Sequence, residues 1–231
     1  MRKVQFAGFT LIEMLVVIAI IATIAAFAVP AITSAMQKGQ MTGAMNNERQ
    51  LFLAGYQMAL DGSTNNDSTN LAWPGDYGAS VNSLEDYCNK LVQNDYLKPG
   101  DLQKILSAPG VGCTVTSSTA SGVTSVTLSG KSGLKVYKVV DADASNAIFT
   151  ASANYTYNTA LDNTKSPFGD KGFIIVHKGG DAVSLRKNNA AASFYGNDGA
   201  KFQAAVGKLT GDADGTASTG ESASKVLTSP Q

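Results

Sequence analysis

One carboxylate sits where carboxylates are rare. Glu13 is the single charged residue between Lys3 and Lys38, inside a stretch dominated by Ala, Ile, Leu, Val, Met and Phe. Placing an acidic side chain at the centre of a bilayer costs roughly 2.5–3.5 kcal/mol, and less near the ends of the span. A plain membrane anchor gains nothing from that charge. A subunit that must meet a neighbour's positive charge within the apolar layer does. Upstream, Gly8 precedes Phe9 and offers a peptidase a junction free of side-chain bulk. Cleavage there places a new α-amine on Phe9, a cation at the start of a helix. Glu13 of an adjacent copy is a fitting partner, because pairing removes two lone charges that are costly in an apolar setting.

The run Gly8-Phe9-Thr10-Leu11-Ile12-Glu13 resembles the processing signal of type IV pilins and type II secretion pseudopilins. The resemblance implies that a prepilin peptidase cuts between Gly8 and Phe9, and that Phe9 becomes the N-methylated terminus. Glu13 then stands where the family keeps the glutamate that registers one subunit on the next, and Pro30 where many members carry a proline. The implied partners are the peptidase, an inner-membrane assembly platform with its ATPase, and further copies of the chain in a helical filament. The implied location is the inner membrane for the precursor, single-pass with its leader cytoplasmic, and an extracellular or periplasmic filament after assembly. Two other readings compete. Ala26-Phe27-Ala28 has the form of a secretory cleavage site, and an uncleaved single-pass anchor would look similar. Neither accounts for the glutamate within the apolar core or for the glycine–phenylalanine junction.

The remaining chemistry is sparse. Cys88 and Cys113 both follow the apolar segment, which sends them to an oxidising compartment. A disulfide between them would close a loop of about 26 residues and contribute roughly 3 kcal/mol in the chain-entropy model; two separate buried thiols are the alternative. The single histidine, His177, ends an apolar run and reads as a turn or sheet-edge residue rather than a general base. The pairs Asp141/Asp143 and Glu85/Asp86 suit loops and caps better than acid–base catalysis. Gly211-Asp212-Ala213-Asp214-Gly215-Thr216, with Glu221 downstream, places two carboxylates on a flexible loop of the kind calcium takes. Major pseudopilins hold calcium in a C-terminal loop, but this spacing matches no pattern of theirs, and polar Asp-Gly stretches are commonly turns. Asp212 and Asp214 are thus the calcium candidates; no other cofactor and no enzymatic activity are expected.

With 231 residues, zero formal net charge and only 16% charged residues, the chain has no basic character to suggest nucleic acid. Lys178, Arg186 and Lys187 are too few to make a basic patch. Abundant serine and threonine permit O-glycans at positions the sequence does not single out.

The elements that must position these residues follow from periodicity. Residues 1–8 form a leader held on the cytoplasmic side by Arg2 and Lys3. Residues 9–33 form a transmembrane and assembly helix; residues 14–37 alone span about 36 Å, enough for a hydrocarbon core of about 30 Å. Ala19, Ala22, Ala25 and Ala26 let such helices approach closely, and Pro30 is expected to kink the helix. Residues 34–60 continue it amphipathically, with Met41, Met45, Phe52, Tyr56 and Leu60 on one side. Residues 61–122 read as a helical connecting region. It holds a loop anchored by Trp73 and Tyr77, a helix over about 83–95 capped by Asn82 with Glu85, and a second helix over 101–107. Residues 123–209 read as an antiparallel head of about four strands, drawn from the runs 123–129, 134–140, 147–151, 172–177 and 182–187. One face should pack on the long helix, with the other left for solvent or neighbours. Residues 200–209 suit a short helix or final strand, and 210–231 a flexible tail. The fold class is α+β: a long N-terminal α-helix, transmembrane in its first half, packed against a C-terminal antiparallel β-sheet, pilin-like. The expected role is a structural subunit of a type IV pilus-like filament. A pseudopilin acting in protein export and a minor or tip pilin with a ligand-binding head are the alternatives.

Overall fold

The computed structural model describes residues 8–230. Arg2, Lys3 and the rest of the leader before Gly8 lie outside the described residues. The chain divides into two compact units between Gly39 and Gln40. One helix, α1, runs Leu11–Thr64.

Among the described residues of the first unit, α1 is the one element. Leu15, Ile18, Ile21, Ile24, Phe27 and Ile32 are among a long series of bare apolar side chains. Pro30 lies within the helix, which carries on through it without interruption. The missing proline N–H leaves one carbonyl short of its usual donor. Nearby, the Thr33 hydroxyl donates to the carbonyls of Val29 at 2.9 Å and Pro30 at 3.0 Å.

The second unit begins with the rest of α1. Its buried face is Met41, Ala44, Glu48, Leu51, Phe52, Ala54, Gly55, Met58, Ala59 and Gly62. This corrects the stripe expected from bulk alone, since Tyr56 and Leu60 are exposed. Small residues choose the contact face because they admit close approach. A Cβ on Gly55 would stand 2.3 Å from the Tyr87 hydroxyl, and one on Gly62 would stand 1.7 Å from the Leu71 carbonyl oxygen.

Helix α2 spans Leu84–Gln93, and its cap is one residue later than the sequence suggested. Ser83 Oγ accepts from the Asp86 N–H at 3.0 Å, while Asp86 Oδ2 accepts from the Ser83 N–H at 2.9 Å. Glu85 does not close the box because it is engaged elsewhere: its Oε2 accepts the Leu128 N–H at 2.8 Å. Helix α3, Pro99–Leu106, opens on a proline at its first turn, where the missing N–H costs nothing.

Strands β1, Cys113–Ala120, and β2, Val123–Gly130, form an antiparallel hairpin of their own. Its turn residues Ser121 and Gly122 both take positive φ, 53° and 79°, which suits a tight two-residue hairpin turn. The first strand was hidden inside the stretch read as a helical connection. Cys-Thr-Val-Thr-Ser-Ser-Thr-Ala is exposed over nearly its whole length, so it carries no apolar alternation. The run 123–129 therefore pairs with β1 and is not part of the head's meander. Asn89 of α2 clips this hairpin, donating to the Val126 carbonyl at 2.8 Å and accepting the Val126 N–H at 2.7 Å.

The meander is β3 Leu134–Val136, β4 Ile148–Ser152, β5 Phe173–His177 and β6 Ala182–Leu185, antiparallel and in sequence order. Both central strands are buried at every residue. Phe149 and Val176 share a core with Leu51, Phe52 and Met58 of α1. Ile148, Phe173 and Ile175 share another with Phe202 and Val206 of helix α4, Gly199–Val206. The second face of the sheet is therefore covered as well, rather than left to solvent.

The C-terminal segment closes the structure. Residues expected to be a flexible tail instead run beside β3: the Leu227 N–H donates to Val136 O at 2.9 Å and the Lys138 N–H to Lys225 O at 2.8 Å. Leu227 is buried. Leu227, buried in one core, and Val226, packed against the other, contribute to docking it.

Candidate functional site

The N-terminal motif starts from an open approach. Gly8 has nothing within 4 Å of where a Cβ would stand, and Phe9 is largely exposed. Two residues on, Thr10 caps α1. Its hydroxyl oxygen accepts the Glu13 N–H at 3.3 Å, and Glu13 Oε2 accepts both the Thr10 N–H and the Thr10 hydroxyl at 2.8 Å. This reciprocal arrangement satisfies two of the donors that a helix start leaves unpaired. Glu13 thus has an intrachain role that the sequence reading passed over, although Thr-x-x-Glu before an apolar run is a legible capping signal.

After Glu13 the next charge is Lys38. The most apolar stretch of α1 has none of its surface buried within the chain, and its length and composition suffice to cross a membrane. A single-copy fold leaves this surface bare, at about 25 cal/mol per Å² of apolar area against exposure to water. It therefore requires lipid or other helices. Glu13 stands at the head of that surface, the one charge before Lys38.

The other expected sites come apart. Asp212 accepts from Lys225 Nζ and from the Ser218 hydroxyl, while Asp214 accepts from Lys208 Nζ at 2.8 Å. The two carboxylates, the calcium candidates, answer different lysines. Glu221 is occupied too, accepting from Lys135 Nζ at 2.8 Å, the Tyr137 hydroxyl at 2.6 Å and the Tyr157 N–H at 3.0 Å. Among the described residues, no three His, Cys, Asp or Glu side chains gather to hold a metal. Cys88 and Cys113 are both buried free thiols in one core cluster, not the expected disulfide. Burial pushes the Cys88 thiol well up, and the nearby Cys113 adds to this, which disfavours a nucleophilic thiolate. His177 sits between Asp181 Oδ2 at 2.6 Å and the Val206 carbonyl at 3.1 Å, tying β5 to its turn and to α4. Trp73 and Tyr77 are buried loop anchors.

One buried group was not foreseen. Glu48 lies on the contact face of α1, is 2% exposed, and accepts the Thr150 hydroxyl of β4 at 2.8 Å. Burial pushes its pKa up to about 8, with the Thr150 bond pulling the other way. It is a core carboxyl carrying its proton at neutral pH.

Residues 5–29 match the prokaryotic N-terminal methylation motif, a segment that contains the Gly8–Phe9 junction and Glu13. No curated protein and no solved structure matches the chain.

Proposed function

We propose that this chain, which carries the prepilin-type signal of type IV pilins and pseudopilins at residues 5–29, is a structural subunit of a type IV pilus-like filament. The observation that carries the reading is the bare apolar helix surface beginning at Leu11, with Glu13 as its one charge. In the membrane, lipid covers that surface. In a filament, the same surface is covered by copies of itself, with close packing through Ala19, Ala22, Ala25 and Ala26 replacing lipid contacts. A prepilin peptidase removes the leader after Gly8, and Phe9 is N-methylated. The new amine of one subunit answers Glu13 of another and sets their axial register. An assembly platform and its ATPase extract the subunit. The α+β head, built on residues 40–230, coats the polymer.

The test is electron microscopy of sheared surface filaments with mass spectrometry of their N-terminal peptide. A methylated Phe9 terminus is the expected result. Glu13→Gln keeps a side-chain acceptor for the Thr10 N–H but removes the charge, whereas Glu13→Ala removes both. If charge pairing sets the register, both variants lose filaments. Normal filaments from Glu13→Gln alone would reduce Glu13 to a helix cap and defeat the proposal.

A further inference from the structure

The head contains a cavity of about 730 Å³ whose wall is basic and hydroxylated. Lys131, Lys135 and Lys165 come to it from three separate segments: the turn after β2, strand β3 and the loop before β5. Among the described residues, no aspartate or glutamate lines it. Lys135 is paired beneath the wall with Glu221 at 2.8 Å. Lys131 and Lys165 make no ion pair among the described residues, like several other lysines of the head and unlike Lys135. Asp162 is close enough to feel the Lys165 charge, but its carboxylate is held by the Thr164 N–H and hydroxyl, both at 2.8 Å. Two cations are thus left facing a concave space.

The rest of the wall narrows the chemistry. Ser132, Thr164, Ser166, Thr228 and Ser229 bring hydroxyls to it. Those of Ser132 and Thr164 are spent on Leu134 and Asp162, whereas Ser166, Thr228 and Ser229 have no side-chain hydrogen bond among the described residues. Val111, Ala153 and Pro230 add a small apolar face. Among the described residues the lining holds no aromatic ring, so it offers no platform for stacking nucleobases. The volume lies in the range of organic-ligand pockets, well beyond a single inorganic ion. Thr228, Ser229 and Pro230 complete the wall only because the C-terminal segment docks beside β3.

We infer that this cavity binds a short anionic oligosaccharide, its acidic groups answering Lys131 and Lys165 and its hydroxyls meeting Ser166, Thr228 and Ser229. The inference is independent of the polymer reading, because a solubilised single chain suffices to test it. The probe is trigalacturonate, titrated calorimetrically against the full chain in detergent, with neutral maltotriose alongside. The expected result is saturable trigalacturonate binding that weakens roughly tenfold as salt rises from about 20 to about 300 mM, as exposed charge pairs require. Lys131→Ser with Lys165→Ser should weaken it by a similar factor. Lys201→Ser, which removes an ion pair on α4, should leave it unchanged, and both variants should melt with the parent because these side chains are exposed. Absence of binding at low salt, equal binding of maltotriose, or full affinity in the double variant would overturn the inference. So would equal, lysine-dependent binding of an oligothymidylate, which would mark a phosphate-backbone site instead.

Discussion

Thr150 donates its hydroxyl to Glu48 across the buried contact between α1 and β4, at 2.8 Å. The pair places the one fully buried acid of the head directly against its central strand. Its ordinary pKa of 4.5 is raised to about 8 by burial. Between those values the unfolded chain has lost the proton and the folded chain keeps it. Stability therefore falls as pH rises from about 4.5 to about 8, by up to about 5 kcal/mol, and the loss is complete above the folded value. Thermal melting of Glu48→Gln across this range should remove that part of the slope and leave the variant more stable than the parent at pH 8. Thr150→Val should cost about 1–2 kcal/mol at neutral pH, by leaving the buried carboxyl without its donor.

Two glycines of α1 should respond oppositely to alanine. Gly43 has open space where a Cβ would stand, so Gly43→Ala should stabilise the head by about 0.5–1 kcal/mol through helix propensity. Gly62 has the Leu71 carbonyl oxygen 1.7 Å from that point. Gly62→Ala must push the loop aside and should cost about 1–3 kcal/mol. Denaturant midpoints of the two variants, one above and one below the parent, check the close approach.

Glu221 is the clasp of the C-terminal segment. Removing it leaves the Lys135 ammonium with only the Tyr155 carbonyl and the buried Tyr137 hydroxyl without its acceptor. Glu221→Ala should cost on the order of 3 kcal/mol. Limited proteolysis should then cut within 210–230 before the rest of the head, and trigalacturonate binding should fall with the loss of the Thr228–Pro230 wall.

Gly8→Val should separate processing from folding. Among the described residues nothing lies within 4 Å of a Cβ at that position, so the head should melt as in the parent. Intact mass should show the precursor still carrying residues 1–8, and filaments should be absent. Efficient cleavage of Gly8→Val would remove the reason for a glycine there.

The apolar runs 147–151, 172–177 and 182–187 were legible, and they hold the strands Ile148–Ser152, Phe173–His177 and Ala182–Leu185 because apolar residues mark each of them locally. Strand β1 was not, because Thr114, Thr116 and Ser118 face water and leave no pattern to read. The α2 cap shifted from Asn82 to Ser83 because Glu85, the residue three beyond Asn82, is drawn away by the β2 backbone, a partner distant in sequence. Cys88 and Cys113, expected as a bridge because both follow the apolar segment into an oxidising compartment, stand here as buried thiols.

The sequence by itself determined the N-terminal motif: glycine before phenylalanine, threonine and glutamate three apart, and an apolar run beyond them. Those relations are local, so spacing along the chain is also spacing in space. Only the tertiary structure decided that Asp212 and Asp214 turn to separate lysines, that Glu48 is buried against Thr150, and that Lys131, Lys135 and Lys165 share one cavity. Each of these joins residues brought together by packing the helix, sheet and C-terminal segment, and charge and burial follow from neighbours in space.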